Sequence, residues 1–134
     1  MLDPNIPEVM MDARQMEQVV INITNNAVFA MKESVGNTEH AGVLRKGELT
    51  VGSRFHAYKE CVEIFIKDTG VGISKNVLRK IFDPFFSTKI NGTGLGLFVS
   101  YGIIQNHNGI IEVESKLDIG TTFTIRLSSE QPKT

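Results

Sequence analysis

From Asp12 onward apolar residues recur at intervals of three and four: Met16, Val19, Val20, Ile23, Ala27, Ala30 and Met31. That spacing predicts one long helix with a single buried face, with Asp12 as its N-cap. Asn22, Asn25 and Asn26 interrupt it, and asparagine is a weak helix former. The pattern fades over 35–46, where polar residues with Gly36, Asn37 and Gly42 predict a flexible connection. Beyond it the period becomes two. Leu49, Val51, Ser53 and Phe55 alternate with polar neighbours, as do Val62, Ile64 and Ile66, so two strands are expected with a turn over 56–60. Ser74 marks the cap of a short helix through Leu78 and Ile81. A further helix is expected over 95–106, with Leu97, Val99, Ile103 and Ile104 apolar and a left-handed stop at Asn108-Gly109. Two last strands, 110–115 and 121–127, meet at a turn over 118–120.

Residues 7–11 read as a short edge strand or extended lead-in, and the polar tail from Ser128 as frayed. Paired strands interleaved with helices predict a single α/β domain, a two-layer sandwich in which helices cover one face of a mixed sheet. The other face is then partly solvated, which accounts for Glu63, Lys67, Glu112, Glu114 and Arg126. Composition narrows the function classes. With 134 residues the chain suits one domain with a core of its own. A net charge of −1 gives no basic field for nucleic acid. No apolar run reaches the roughly 18 residues of a membrane helix, and no signal-peptide pattern opens the chain, so a cytoplasmic-type domain without direct membrane contact is expected. The single cysteine, Cys61, lies in an apolar run and reads as a packed small residue rather than a nucleophile.

Candidate chemistry concentrates between Asp68 and Leu97. Two glycine-rich turns, Asp68-Thr69-Gly70-Val71-Gly72-Ile73 and Gly92-Thr93-Gly94-Leu95-Gly96-Leu97, flank the aromatic segment Phe82-Asp83-Pro84-Phe85-Phe86. Glycines here allow positive φ and close approach to a ligand. A helix starting near Leu95 would aim its free N–H groups at an anion, for which a polyphosphate is the natural guest. The second turn is neither a Rossmann signature nor a P-loop, and alone a glycine turn can be only a turn. Asp68, ending an apolar strand, can accept a hydrogen bond from an exocyclic amine, or simply start the turn at Gly70. Asn22 and Asn26 lie one turn apart, where two amides can face one ligand and an amide oxygen can ligate Mg²⁺; capping polarity meets the same spacing. Lys89 can clamp a phosphate or be a solvated lysine. His40, His56 and His107 form no hydrolytic triad and no pair with metal-binding spacing.

Together these segments resemble the ATP-binding catalytic domain of sensor histidine kinases, within the GHKL ATPase superfamily. Asn22-Ile23-Thr24-Asn25-Asn26-Ala27 is similar to the N box, and Asp68-Thr69-Gly70-Val71-Gly72 to the first G box. Phe82 to Phe86 is similar to the F box, Gly92 to Leu97 to the second G box, and Gly120-Thr121-Thr122-Phe123 to the strand closing the adenine pocket. The resemblance implies a Bergerat-type fold, ATP and Mg²⁺ as cofactors, and transfer of the γ-phosphoryl group to a histidine. It implies Asn26 as metal ligand supported by Asn22, and Asp68 with Thr121 at the adenine. Gly70, Gly72 and Ile73 would shape that end; Gly92, Thr93, Gly94, Leu95, Gly96 and Leu97 would cradle the phosphates. Lys89 would act from the lid, making Asn22, Asn26 and Lys89 the catalytic set. Gyrase-like relatives hold a water-activating glutamate where Asn22 stands, and an amide cannot be that base.

The departures are specific. Phe29 and Ala30 occupy positions where relatives often have Lys and Tyr, and the lid between Lys89 and Gly92 is short, as in nitrogen-regulatory kinases. His40 precedes Ala41 and His107 precedes Asn108, whereas the family's phosphoacceptor histidine is usually followed by an acidic residue. The phosphoacceptor and dimerisation helices are therefore expected to lie elsewhere, in a parent sensor that could itself be membrane-anchored. The implied partners are those helices and a downstream response regulator, and the domain alone is expected to be monomeric and unable to phosphorylate itself. The competing readings are a GHKL hydrolase, an anti-sigma-type serine kinase and a degenerate interaction module.

Overall fold

Asp12 starts the first helix as its sequence suggests: its carboxylate accepts the Gln15 N–H at 3.1 Å and its carbonyl accepts the Met16 N–H at 3.0 Å. In this computed structural model, which describes residues 11–39, 47–86 and 95–128, with side chains of the first helix described to Lys32, that helix runs Ala13–Glu39 (α1). It therefore continues through 35–39, where a flexible connection is expected; Gly36 costs an interior helix only about 1 kcal/mol. Residues 40–46 of that connection, the lead-in over 1–10 and the tail over 129–134 lie outside the described residues. Met16, Val19, Ile23 and Ala27 form the buried face; Val20 is 37% exposed and falls off the stripe.

The strands follow at Leu49–His56 (β1), Cys61–Asp68 (β2), Ile110–Lys116 (β3) and Gly120–Ser128 (β4). They form one sheet in the order β1-β2-β4-β3. A mixed sheet was expected, but every pairing among the described residues is antiparallel. Alternation tells which face a residue takes and is silent about strand direction. Lys75–Leu78 (α2) is capped by Ser74, whose hydroxyl accepts the Val77 N–H. Gly96–Asn106 (α3) is followed by its C-cap His107 and then by Asn108, in the left-handed region at φ 55°.

The core lies between the sheet and α1 with α3. Ile66, Phe123, Ile125 and Leu127 from the central strands meet Val19, Ile23 and Ile104 from the helices. Phe82 joins this core, its ring centroid 5.2 Å from Tyr101 and 6.5 Å from Phe123. Phe85 does not: it is 76% exposed with φ at 65°. Cys61 is buried and unpaired, in keeping with a packing role.

On the other face Glu63 departs from the solvated position expected for it. It is 8% exposed and bonded from both sides. Arg54 Nε lies 3.3 Å from its Oε1, while Arg126 Nε at 3.0 Å and His56 Nε2 at 3.2 Å share its Oε2. The register explains this, because Arg54 and Arg126 stand directly opposite Glu63 on β1 and β4.

Candidate functional site

The site is built at the end of β2. Asp68 closes that strand opposite Thr121 of β4 and is 4% exposed. Its Oδ1 accepts the Gly70 N–H at 2.8 Å, which turns the chain sharply off the strand. Burial pushes the Asp68 carboxyl above the ordinary range, and the backbone N–H groups of Gly70 and Thr121 pull it back only in part. Among the described residues no cation pairs with it. A buried carboxylate so placed keeps acceptor capacity for an outside donor.

Ser115 organises the rest of this end, and nothing in the local sequence singles it out. Its Oγ accepts the Ile73 N–H at 2.7 Å, donates to the Gly120 carbonyl at 3.1 Å and lies 2.7 Å from the Thr121 hydroxyl. One hydroxyl thus ties the first glycine turn to β3 and β4. The glycines of that turn answer to close packing. A Cβ on Gly70 would come within 2.6 Å of the Ala30 Cβ, and the Val71 N–H donates to the Ala30 carbonyl at 3.2 Å. Gly72 has φ at 75°, and a Cβ there would overlap the Lys116 carbonyl oxygen. The turn is wedged between α1 and the β3–β4 connection, where the Asp118 N–H bonds the Val71 carbonyl at 2.7 Å. Gly70, with no Cβ, is what lets α1 come this close at Ala30.

The second cluster joins α1 to the start of α3. The Asn22 Nδ2 donates to the Gly96 carbonyl at 3.1 Å and to Ser100 Oγ at 3.2 Å. Ser100, fully buried, is a second residue that sequence reasoning missed, because its partner lies 78 positions away. Asn26 follows one turn after Asn22, half-buried on α1. Gly96 differs from Gly70 and Gly72: a Cβ there would meet nothing nearer than 3.7 Å among the described residues, so packing does not require glycine. Leu95 and Leu97 flank it, both partly buried. Lys89, Gly92, Thr93 and Gly94 lie outside the described residues, as does His40.

Both clusters border α1, one at Asn22 and the other at Ala30. Eight residues of helix set them about 12 Å apart at 1.5 Å per residue. His107 is used locally: its Nδ1 lies 2.8 Å from the Ile103 carbonyl and its Nε2 accepts the Asp12 N–H at 3.0 Å. Among the described residues no three His, Cys, Asp or Glu side chains group to hold a metal, and no helix is long and apolar enough to cross a membrane.

A family model described as "Histidine kinase-, DNA gyrase B-, and HSP90-like ATPase" matches residues 11–131. The chain is 36% identical over 121 residues to sporulation kinase B of Bacillus subtilis, covering 90% of this chain and 25% of that protein. It is 38% identical over 128 residues to the sensory histidine kinase/phosphatase NtrB of Vibrio alginolyticus, covering 93% and 35%. It thus spans about a third or less of these relatives. Among solved structures, the catalytic domain of histidine kinase ThkA superposes with a TM-score of 0.75 at 29% identity, covering 96% of this chain and 75% of that one. Full-length ShkA in complex with AMPPNP is alike in fold, with a TM-score of 0.76 at 21% identity over 94% of this chain and 24% of that one.

Proposed function

The chain belongs to the histidine kinase-, DNA gyrase B- and HSP90-like ATPase family, and on that premise we propose that it binds Mg·ATP and donates the γ-phosphoryl group to a histidine on a separate domain of a parent sensor. The carrying observation is the pairing of two clusters along α1, a buried acceptor at one end and a glycine that packing does not require at the other. An extended nucleoside triphosphate suits that span. Asp68 accepts from the exocyclic amine of adenine, with Thr121 beside it, while Gly70, Gly72 and Ile73 shape the walls. Leu95, Gly96 and Leu97, continuing Gly92, Thr93 and Gly94, bring backbone N–H groups to the phosphates at the start of α3.

The donor set fits a hard cation. In the absence of a carboxylate or histidine cluster among the described residues, Mg²⁺ would be held through the Asn26 amide oxygen and by phosphate oxygens that the nucleotide brings, with Asn22 in support. An ion held there would supply neutralisation of charge on the transferring phosphoryl group. The chain's own residues position and screen, and Lys89 adds a cation from the lid. Asn22 cannot remove a proton from water, which favours transfer over hydrolysis. The phosphoacceptor helix is the partner of this reaction and a response regulator acts downstream of it, and neither His40 nor His107 serves as the acceptor.

The test is incubation of the chain with γ-labelled ATP, Mg²⁺ and a purified histidine-bearing dimerisation domain from a similar kinase. Acid-labile label on the added domain, with none on the chain, is the expected result. Steady release of free phosphate without any labelled protein would favour the hydrolase reading instead.

A further inference from the structure

The carboxamide of Asn22 has an orientation that chemistry decides. The atom 3.1 Å from the Gly96 carbonyl oxygen must be the nitrogen, because a backbone carbonyl only accepts. The same nitrogen reaches Ser100 Oγ at 3.2 Å, and Ser100 passes its own hydroxyl hydrogen to the Gly96 carbonyl at 2.9 Å. Ser100 has no exposed surface, so its hydroxyl has only these neighbours to satisfy it. Both N–H bonds of Asn22 are thereby engaged on α3. Its Oδ1 is the group that remains, and among the described residues no donor is bonded to it.

We propose that Ser100 is a positioning residue for the nucleotide site: with the Gly96 carbonyl it holds the Asn22 NH₂ group, so that Asn22 offers the site a carbonyl oxygen alone. Such an oxygen accepts from a metal-bound water or ligates Mg²⁺, and it cannot donate to a phosphate. This inference rests on the Mg·ATP reading above and refines it, since it assigns Asn22 to the metal side of the ligand. Loss of the Ser100 hydroxyl releases one N–H. Rotation about the amide torsion, which is broad and roughly two-fold, then lets the NH₂ group face the cation and oppose it.

The experiment measures ATP affinity by calorimetry with Mg²⁺ and again in EDTA, for the wild-type chain, Ser100→Ala, Asn22→Ala and the double variant. Ser100→Ala is expected to weaken Mg²⁺-dependent binding about five- to tenfold while metal-free affinity stays within about twofold. In the Asn22→Ala background it should have no further effect. Equal losses with and without metal, or the same loss in both backgrounds, would assign Ser100 to packing alone and overturn the proposal. Ser100→Cys keeps the volume, loses most of the hydrogen bond, and should shift in the same direction if the alanine variant does not fold. A nucleotide-free arm records the Asn22 side-chain NH₂ resonances by NMR. Faster exchange of one amide proton in Ser100→Ala supports the contact, and unchanged exchange overturns it. If the wild-type chain binds no ATP in either condition, the Mg·ATP reading fails, and the amide arm still decides whether Ser100 orients Asn22.

Discussion

Asp68 and Glu63 are both buried carboxylates on β2, 4% and 8% exposed, yet they lie on opposite faces of the sheet and live in opposite surroundings. Glu63 has Arg54, His56 and Arg126 around it. Burial opposes its ionisation, but the Arg126 hydrogen bond and the nearby positive groups outweigh that and hold its pKa below the ordinary value. Arg126 is in turn anchored by Glu112 at 2.6 Å, so the whole cluster is internally satisfied. Asp68 has two backbone N–H groups and, among the described residues, no cation, and burial holds its pKa above the ordinary value. The contrast teaches a way to read buried acids. One whose charge the protein already compensates is part of the structure, whereas one that the protein leaves partly uncompensated is a candidate for binding a ligand.

The largest expected effect comes from disturbing the turn that holds Asp68. Gly120 has φ at 148°, and a Cβ there would overlap the Asp68 carbonyl oxygen. Gly120→Ala is expected to destabilise the fold by more than about 2 kcal/mol in urea denaturation, through backbone displacement with no loss of charge. Glu63 is held instead by Arg54, His56 and Arg126, so its effects are those of charge. Glu63→Gln is expected to cost roughly 1 kcal/mol at pH 7, a modest figure because Arg54 is half exposed to solvent. Because the folded pKa of Glu63 is lowered, its contribution is present above the unfolded value and lost as pH falls through the folded one. Denaturation below pH 4.5 should therefore show a steeper acid loss for the wild type than for Glu63→Gln.

Asp68 carries the opposite sign and a smaller effect on stability. With its folded pKa raised, its contribution is present below the unfolded value and lost as pH rises through the folded one. Asp68→Asn keeps an oxygen for the Gly70 N–H and removes a buried charge. Its thermal midpoint in the absence of ligand should equal or exceed that of the wild type at pH 7, with the advantage vanishing near pH 3.8. A lower midpoint at both pH values would place Asp68 in the structural class with Glu63.

Much of this was legible in the sequence. The period-three and period-four spacing of Met16 to Ala27, the caps at Asp12 and Ser74, and the stop at Asn108 are local properties, and they determine α1, α2 and the end of α3. The glycine turns and Asp68 could be found because backbone freedom and a polar residue ending an apolar strand leave local marks. What the sequence hides is set by register. Glu63 looks solvated on β2 alone, and its burial follows only once Arg54 and Arg126 are known to stand opposite. Ser100 and Ser115 look like ordinary polar residues of a helix and a strand, because the groups they tie together come from distant segments. The antiparallel direction of the sheet is hidden for the same reason.

Whether Asp68 reads the base is decided by calorimetric titration of Mg·ATP into the wild-type chain, Asp68→Asn and Glu63→Gln, each checked for folding by circular dichroism. The wild type and Glu63→Gln are expected to bind alike, while Asp68→Asn binds about ten- to hundredfold more weakly, as expected for loss of a hydrogen bond to a charged acceptor. Equal affinity in all three folded proteins would contradict the base-reading role of Asp68 and place the nucleotide elsewhere.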